Sequence, residues 1–321
     1  MELRRLAGTD LQLSKLGFGA APLGDVYGTI DRAAGVRAVR VALDLGVNVI
    51  DVSPYYGRTL AETVLGKSLA GVDRAAYVLA SKVGRYGLAE FDFTAGRVRS
   101  SVDESLGRLG VDYLDLVQVH DIEFGDLDQI VAETVPALYE LRDAGKIRYV
   151  GATGYPLGAL GSVAARVPLD TILSYCRYTL LDQAIEDWLP FFQERGTAVL
   201  NASPLAMGAL TARGAPDWHP APSAVLECCA RAARFSGEQG SALEKLALQF
   251  SAAHPAFATT FVGMADEQEV RRNIAWVDQP PDDRLLAQVR ALIAPVHGYA
   301  WPSGRPENDV MVVPPRAGGS A

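Results

Sequence analysis

The sequence predicts an α/β fold, a (β/α)8 TIM barrel with an N-terminal β-hairpin and an extra C-terminal helix. Three observations support this prediction. Short apolar runs alternate with longer amphipathic stretches, which is typical of βα units, and eight such pairs follow one another along the 321 residues. The runs are apolar almost throughout, as expected for parallel strands that are covered on both faces. Because barrels of this class commonly reach about 250 residues as one unit, we expect a single domain over residues 1–321.

Each element follows from a local pattern. Apolar and polar residues alternate around Gly8, so residues 1–15 should form the hairpin. The predicted barrel strands cover residues 16–20, 47–51, 76–82, 113–120, 147–152, 171–175, 198–202 and 258–262. The predicted helices cover about residues 32–45, 60–69, 95–109, 127–144, 156–163, 184–194, 221–253 and 266–275, and the extra helix covers 283–293. The Pro/Gly-rich tail runs from 295 to 321; from about residue 305 it could order over the active site, mediate contacts or be flexible.

Composition narrows the possible functions. The chain has 38 acidic and 30 basic residues, a formal charge of −8, which argues against nucleic acid or an anionic membrane as a partner. With 49% hydrophobic and 21% charged residues it is not intrinsically disordered. No apolar run approaches the roughly 20 residues that span a bilayer, and residues 1–6 lack the apolar core of a signal peptide. Three cysteines are too few for a disulfide framework or a zinc site, so we expect a cytoplasmic protein without a metal.

Ionisable side chains stand at the ends of three consecutive predicted strands. Asp51 ends the second strand, Lys82 the third and His120 the fourth, while Tyr56 lies in the loop directly after Asp51. Active sites of parallel barrels are built at the carboxyl ends of the strands. We therefore expect these four side chains to meet in one pocket.

The chemistry of this set favours proton transfer coupled to hydride transfer. A tyrosine with a pKa of about 10 exchanges protons slowly at neutral pH unless its phenolate is stabilised. Lys82 next to Tyr56 should lower that pKa, Asp51 should hold Lys82, and a neutral His120 should bind the substrate oxygen. Taken singly, Asp51 and Lys82 could form a structural ion pair, and His120 and Tyr56 could be ordinary buried residues. Their joint placement favours catalysis.

Three segments resemble the signatures of the aldo-keto reductases. These are residues 46–57 (Gly-Val-Asn-Val-Ile-Asp-Val-Ser-Pro-Tyr-Tyr-Gly), 80–83 (Ala-Ser-Lys-Val) and 116–121 (Leu-Val-Gln-Val-His-Asp). The family consists of (β/α)8 enzymes that use NAD(P)(H) without a Rossmann domain, and the resemblance extends from about residue 3 to residue 301. It implies that Asp51, Tyr56, Lys82 and His120 form the catalytic tetrad.

Other segments resemble one branch of this family, the aldose 1-dehydrogenases that act on L-galactose or L-fucose. They are residues 150–156, 173–176, 202–208, 216–220 and 301–304. The resemblance implies oxidation of the anomeric hydroxyl of a cyclic sugar to a lactone. Pyridoxal 4-dehydrogenases, which act on a cyclic hemiacetal, are also similar. An NADPH-dependent aldehyde or ketone reductase and a non-catalytic nucleotide-sensing subunit stay open as alternatives, as does the oligomeric state.

The same resemblance implies a cofactor site formed by Thr153, Ser203, Leu205, Gly263, Glu269 and Asn273. Gly263 lets the backbone approach a diphosphate, and the helix that starts after residue 265 offers free N–H groups. Thr153 would contact the nicotinamide and Asn273 the adenine. Glu269 should repel a 2′-phosphate, which favours NAD over NADP, although Arg271 and Arg272 are close enough to bind that phosphate.

Aromatic residues of the predicted loops are candidates for stacking on a substrate ring, since a ring face suits the apolar side of a sugar. They are Tyr27, Tyr55, Tyr155, Trp218 and Trp301, and each could equally be a packing residue. Asp121, Glu123 and His219 are the nearest polar side chains for the hydroxyl groups of such a substrate.

Overall fold

The structure is a computed structural model that describes residues 1–309. Its centre is a closed barrel of eight parallel strands, which confirms the predicted (β/α)8 fold. In chain order the strands are β3 (Leu16–Gly19), β4 (Val49–Asp51), β5 (Val78–Val83), β6 (Leu114–Val119), β7 (Ile147–Gly154), β8 (Thr171–Tyr175), β9 (Ala198–Ala202) and β10 (Phe257–Gly263). Each strand pairs with the next, and β10 closes the barrel on β3.

The N-terminal hairpin closes one end of the barrel. Strands β1 (Leu3–Arg5) and β2 (Gln12–Ser14) pair antiparallel. Leu6 and Leu13 are buried in one apolar cluster with Leu200 and Phe261 from the barrel strands. The interior at this end is therefore a packed core, and the opposite end, where the strands terminate, is left for chemistry.

Helices surround the barrel. They are α1 (Arg32–Asp44), α2 (Leu60–Leu69), α3 (Ala95–Leu109), α4 (Leu127–Gln129), α5 (Val135–Asp143), α6 (Leu157–Ala164), α7 (Leu189–Glu194), α8 (Ser223–Glu238), α9 (Leu243–Ala253), α10 (Glu267–Val277) and α11 (Asp283–Ile293). A π-helical turn, Ile130–Thr134, joins α4 to α5. None of the helices within residues 1–309 is both long and apolar enough to cross a membrane.

One predicted helix is wrong in its extent. Residues 221–253 form two helices, α8 and α9, instead of one continuous stretch. Gly240 has a φ of 78°, which other residues adopt only with strain. The hydroxyl of Ser236 donates to the carbonyl oxygen of Ser241 at 2.7 Å and closes the turn. Residues 237–241, Gly-Glu-Gln-Gly-Ser, are polar and contain two glycines, a turn signal that the predicted helix did not take into account.

The end of the described chain packs at the carboxyl end of the barrel, against the turn Ile122–Phe124 after β6. The N–H of Arg305 and the amide of Asn308 donate to the carbonyl oxygen of Glu123, at 2.9 and 3.0 Å. A Cβ at Gly304 would lie 2.3 Å from that oxygen, so only glycine permits this approach. Residues 305–309 thus order beside the β6 loop, while 310–321 of the predicted tail lie outside the described residues.

Candidate active site

The four residues expected at the strand ends come together at the carboxyl end of the barrel. Asp51 is the last residue of β4, Lys82 lies in β5, and His120 directly follows β6. The ammonium of Lys82 donates to Asp51 Oδ2 at 2.5 Å, to the carbonyl oxygen of Val52 at 3.1 Å and to Tyr56 Oη at 3.1 Å. An ammonium has three hydrogens, so these bonds use all of them and fix its position. Lys82 is only 2% exposed.

A close backbone contact positions the loop that carries Tyr56. Gly57 has a φ of 64°, and a Cβ there would lie 2.3 Å from the carbonyl oxygen of Gly24 in the first loop. A Cβ at Gly24 would in turn lie 2.5 Å from the Tyr56 backbone. The two glycines therefore let the loops after β3 and β4 touch, which holds Tyr56 over Lys82.

His120 is a neutral imidazole. Burial lowers its pKa to about 3, and the positive charge of Lys82 acts in the same direction, while Asp121 opposes it. Its Nδ1 lies 2.9 Å from the hydroxyl oxygen of Ser53. The rings of Tyr55 and Tyr56 contact its ring edge-on, both with centroids 5.8 Å away. These contacts fix the ring plane.

The pKa of the Tyr56 phenol is shifted in the direction opposite to the expected one. Burial raises the pKa of the phenol well above its ordinary value, and the carboxylates of Asp51 and Asp121 raise it further. Burial likewise raises the pKa of Asp51, against the opposing effect of Lys82. Sequence spacing brings Lys82 to Tyr56 but gives no measure of burial, which disfavours a phenolate more strongly here.

Three further side chains contact the site and were not predicted from the sequence: Arg85, Ser53 and Gln118. The guanidinium of Arg85 forms an ion pair with Asp121 and lies 3.9 Å from the centre of the Tyr55 ring. The amide of Gln118 donates to Asp51 Oδ1 at 3.4 Å. Arg85 could have been found as a charged residue two positions after a buried strand, at the same end as Lys82.

The five predicted substrate-stacking rings lie in three places. Tyr55 borders His120, while Tyr27 and the 52% exposed Trp218 face each other across two loops with centroids 5.8 Å apart. Tyr155 and Trp301 are 2% and 7% exposed and stack on each other at 4.6 Å. Each of these two rings thus has one face covered by the other, and both are buried packing residues in this structure.

The polar residues suggested for substrate hydroxyls, Asp121, Glu123 and His219, are all buried with partners inside the protein. His219 contacts the carbonyl oxygen of Ala206 through Nε2 at 3.0 Å. Within residues 1–309 no three His, Cys, Asp or Glu side chains are grouped as a metal site.

Comparison with known proteins decides the family. Residues 15–294 match the Aldo/keto reductase family. The chain belongs to this family. L-galactose dehydrogenase of Arabidopsis thaliana is 46% identical over 96% of this chain and 99% of that protein. Pyridoxal 4-dehydrogenase of Microbacterium luteolum is 30% identical over 90% of this chain and 97% of that protein. The holo form of an aldo-keto reductase from Bacillus halodurans has a TM-score of 0.76 and 30% identity, covering 97% of this chain and 100% of that chain.

As an aldo/keto reductase, the protein is an oxidoreductase that uses a nicotinamide cofactor. The residues expected to hold this cofactor lie at the ends of β9 and β10 and on α10. Strand β10 is buried up to Val262 and exposed at Gly263. Helix α10 starts just beyond, and the first N–H groups of a helix attract phosphate. A Cβ at Gly263 would lie 2.9 Å from Pro22 Cγ, so glycine also allows the first loop to approach. Two N–H groups at this helix start, those of Ala265 and Glu269, donate to the carboxylates of Glu269 and Asp266, so a diphosphate would depend on the other N–H groups of the turn.

Three other predicted cofactor residues lie on the elements next to Gly263. Ser203 and Leu205 lie in the turn after β9, where Ser203 has a φ of 55° and donates its N–H to the carbonyl oxygen of Phe261 at 3.2 Å. This bond ties the turn to β10. Asn273 lies on α10, four residues beyond Glu269 and thus on the same face of the helix, and is 5% exposed.

Thr153 is placed differently from the expectation. It is 1% exposed, and its hydroxyl accepts the N–H of Asp121 at 2.9 Å and lies 3.3 Å from Asp121 Oδ1. The hydroxyl that was expected on the nicotinamide is therefore engaged with Asp121. This bond matters because Asp121 has a φ of 49°, an uncommon conformation for a non-glycine residue.

Glu123 ties the C-terminal segment to the site through a buried carboxyl group. Its Oε1 accepts hydrogen bonds from the hydroxyl of Ser303 at 3.0 Å, the hydroxyl of Tyr175 at 3.2 Å and the N–H of Tyr155 at 3.2 Å. Burial raises the pKa of Glu123 to about 8, and the negative charge of Asp121 adds to this. At neutral pH the group is therefore mostly a neutral acid.

We expect the substitution Glu123→Gln to remove a pH dependence of stability. The folded chain keeps the Glu123 proton up to about pH 8, whereas the unfolded chain loses it near its ordinary pKa of 4.5. Unfolding thus releases a proton between these values, and wild-type stability falls as the pH rises through that window. The difference between the Tm of the variant and the Tm of wild type should therefore increase by about 5 °C between pH 5 and pH 8.

The matched control is Glu140→Gln, because Glu140 is exposed and pairs with Arg99 on the surface. The difference between the Tm of this variant and the Tm of wild type should be the same at both pH values. Melting temperatures from differential scanning calorimetry at both pH values decide this. Equal differences at pH 5 and pH 8 for Glu123→Gln would contradict the assignment.

Proposed function

We propose that the protein is an NAD-dependent aldose 1-dehydrogenase, which oxidises the anomeric hydroxyl of an L-galactose- or L-fucose-type sugar to the lactone. The observation that carries the chemistry is the 3.1 Å contact between Lys82 Nζ and Tyr56 Oη beside the neutral His120. The substrate class is supported by the 46% identity to L-galactose dehydrogenase over nearly the whole of both chains. A single domain and a cytoplasmic location belong to this proposal, supported by one family match over residues 15–294 and by three free cysteines.

Each member of the tetrad has one role in this reaction. His120 donates one ring N–H to the anomeric oxygen and holds it next to Tyr56. Tyr56, as phenolate, takes the hydroxyl proton, Lys82 stabilises that phenolate, and Asp51 holds Lys82. A bound nicotinamide supplies the acceptor for the hydride that leaves the anomeric carbon. The products are the lactone, the reduced cofactor and a protonated Tyr56.

We expect the rate of sugar oxidation to rise with pH. Because burial keeps Tyr56 protonated, its base form is scarce at neutral pH and increases as the pH approaches the raised pKa. His120, with a pKa of about 3, stays neutral and adds no inflection. Values of kcat measured from pH 6 to pH 10 should therefore increase by up to about tenfold for each pH unit. A profile that is flat or falls above pH 8, in enzyme that regains full activity on return to pH 7, would contradict this role.

The surroundings of Glu269 support NAD over NADP. Glu269 accepts the N–H of Ala265 at 2.8 Å, and Asp266 accepts the N–H of Glu269 at 2.8 Å, so two carboxylates stand at the start of α10. Arg271 lies 3.7 Å from the carboxylate of Glu267, and Arg272 lies against the ring of Trp276. The two arginines that could bind a 2′-phosphate thus have other partners.

We expect Glu269→Gln to raise kcat/KM for NADP relative to NAD by about tenfold, because it removes one negative charge from the position of the 2′-phosphate. The variant keeps an amide that can still accept the N–H of Ala265. Glu267→Gln, on the same helical turn, is the matched control and should change the ratio less, since Glu267 pairs with Arg37 and Arg271. Steady-state kinetics with both cofactors measure the ratio. An unchanged ratio would show that Glu269 does not face the ribose.

The proposed function is tested with a substrate panel. Purified protein is mixed with L-galactose, L-fucose, pyridoxal or simple aldehydes and with each oxidised or reduced cofactor, and absorbance of the reduced nicotinamide is followed. Highest kcat/KM with NAD and one of the two sugars supports the proposal. A preference for pyridoxal would instead indicate a pyridoxal 4-dehydrogenase. Turnover only of aldehydes with NADPH would indicate an NADPH-dependent reductase. Cofactor binding without any turnover would favour a nucleotide-sensing subunit.

A further inference from the structure

We propose that Ser53 is a positioning residue that fixes the imidazole of His120 in the tautomer with its hydrogen on Nε2. Ser53 is fully buried, two residues after Asp51, and its hydroxyl oxygen lies 2.9 Å from His120 Nδ1. Since Nδ1 is occupied in this way, Nε2 is the ring nitrogen left for the substrate. The tautomer itself does not depend on the proposed function; only the expected effect of Ser53 on sugar oxidation rests on it.

The hydrogen-bond partners of Ser53 determine the direction of its bond to His120. The hydroxyl oxygen already accepts the N–H of Tyr55 at 3.1 Å. Among residues 1–309, Nδ1 of His120 is the only other partner of this hydroxyl. If Ser53 donates to Nδ1, every one of these polar groups is satisfied. If Nδ1 carried the hydrogen instead, the buried hydroxyl hydrogen would have no acceptor, which is unfavourable.

A second observation favours the same tautomer independently. Oδ2 of Asp121 lies 3.7 Å from His120 Nε2, and the same carboxylate is paired with Arg85. A negative charge at this distance attracts a hydrogen to Nε2. The distance exceeds that of a hydrogen bond, so the Nε2 hydrogen stays available to a substrate oxygen.

The ring is also prevented from turning over. The backbone N–H of His120 donates to the carbonyl oxygen of Val83 at 2.8 Å. The rings of Tyr55 and Tyr56 stand edge-on to the imidazole at interplanar angles of 71° and 89°. A 180° turn of the ring would put Cδ2 in the place of Nδ1 and would break the bond to Ser53. Ser53 therefore determines which nitrogen donates, in a ring whose plane its neighbours hold.

The tautomer is measured directly by NMR of protein labelled with ¹⁵N in histidine. The chain has only four histidines, and the His120 signals are assigned by their loss in the variant His120→Gln. We expect a protonated Nε2 and an unprotonated Nδ1 that is shifted by accepting a hydrogen bond. In Ser53→Ala this shift of Nδ1 should disappear. A protonated Nδ1 in wild type, or identical His120 shifts in Ser53→Ala, would overturn the proposal.

Kinetics test the consequence for turnover. Ser53→Ala should lower kcat for the sugar about tenfold, as expected for the loss of one orienting hydrogen bond, while the Kd for the oxidised cofactor stays within twofold. Ser53→Thr keeps the hydroxyl and should restore most of kcat; if it does not fold, Ser53→Cys retains a weaker donor and should restore part. Ser68→Ala is the matched control, since Ser68 is buried and bonds only within its own helix.

The two measurements separate the two hypotheses. The NMR result needs no turnover, so a wild type that oxidises no sugar but shows the expected tautomer contradicts the proposed function and leaves the role of Ser53 standing. Unchanged kcat in Ser53→Ala, in a wild type that oxidises the sugar, overturns the role of Ser53 in turnover.

Discussion

Tyr56→Phe is expected to lower kcat by about 10²–10⁴-fold, the usual effect of removing a group that transfers a proton. The substitution deletes only the hydroxyl that lies 3.1 Å from Lys82 Nζ. The ring keeps its edge contact with His120 and its position 4.8 Å from the Lys82 ammonium. Folding and cofactor binding should therefore be retained. Turnover of the sugar and fluorescence titration with the cofactor measure the two properties separately.

The control for this experiment is Tyr77→Phe. Tyr77 is 4% exposed and lies just before β5, at the end of the barrel opposite to the tetrad, where it packs against Arg74. Its variant should keep turnover within about twofold of wild type, since it contacts no reacting group. If Tyr56→Phe kept more than about a tenth of wild-type kcat, another group would have to move the proton.

Lys82→Met is expected to have two large effects. Turnover should fall by about 10²-fold or more, because the Tyr56 phenolate loses the cation that stabilises it, and the remaining activity should shift to higher pH. The folded state should also lose about 3–5 kcal/mol, since the carboxylate of Asp51 would stay buried without its partner. Chemical denaturation measures the second effect, and a pH–rate profile measures the first.

A double variant separates stability from catalysis. Asp51→Asn combined with Lys82→Met removes both buried charges, so the free energy of unfolding should recover most of the loss. Turnover should stay as low as in Lys82→Met. Recovery of turnover together with stability would mean that Lys82 acts only as a structural partner of Asp51.

Local patterns were sufficient for most of the fold. Strands such as β5 and β6 are short apolar runs between charged, amphipathic stretches, and their period identifies them without tertiary information. The tetrad could be predicted for a related reason. Asp51, Lys82 and His120 stand at strand ends, and the carboxyl ends of parallel strands meet at one face of a barrel. The break between α8 and α9 was missed, although Gly237 and Gly240 in the polar run 237–241 signal a turn.

Properties that depend on distant partners could not be predicted in this way. Tyr155 and Trp301 stack on each other although they are 146 positions apart in the chain. The sequence suggested both rings as substrate contacts, whereas in the structure they pack against each other. Thr153 is held by Asp121 through a bond that no spacing rule indicates. The pKa of Tyr56 is raised where its lysine neighbour alone suggested a decrease, because burial outweighs that single charge.

By itself the sequence determined the eight-stranded barrel and the side chains that end its strands, because both follow from short-range periodicity and from the parallel direction of the strands. Only the tertiary structure decided the protonation of those side chains and the direction in which each donates. Burial and hydrogen-bond partners set these properties, and the partners come from far along the chain: Ser53 lies 67 residues from His120, and Ser303 lies 180 residues from Glu123.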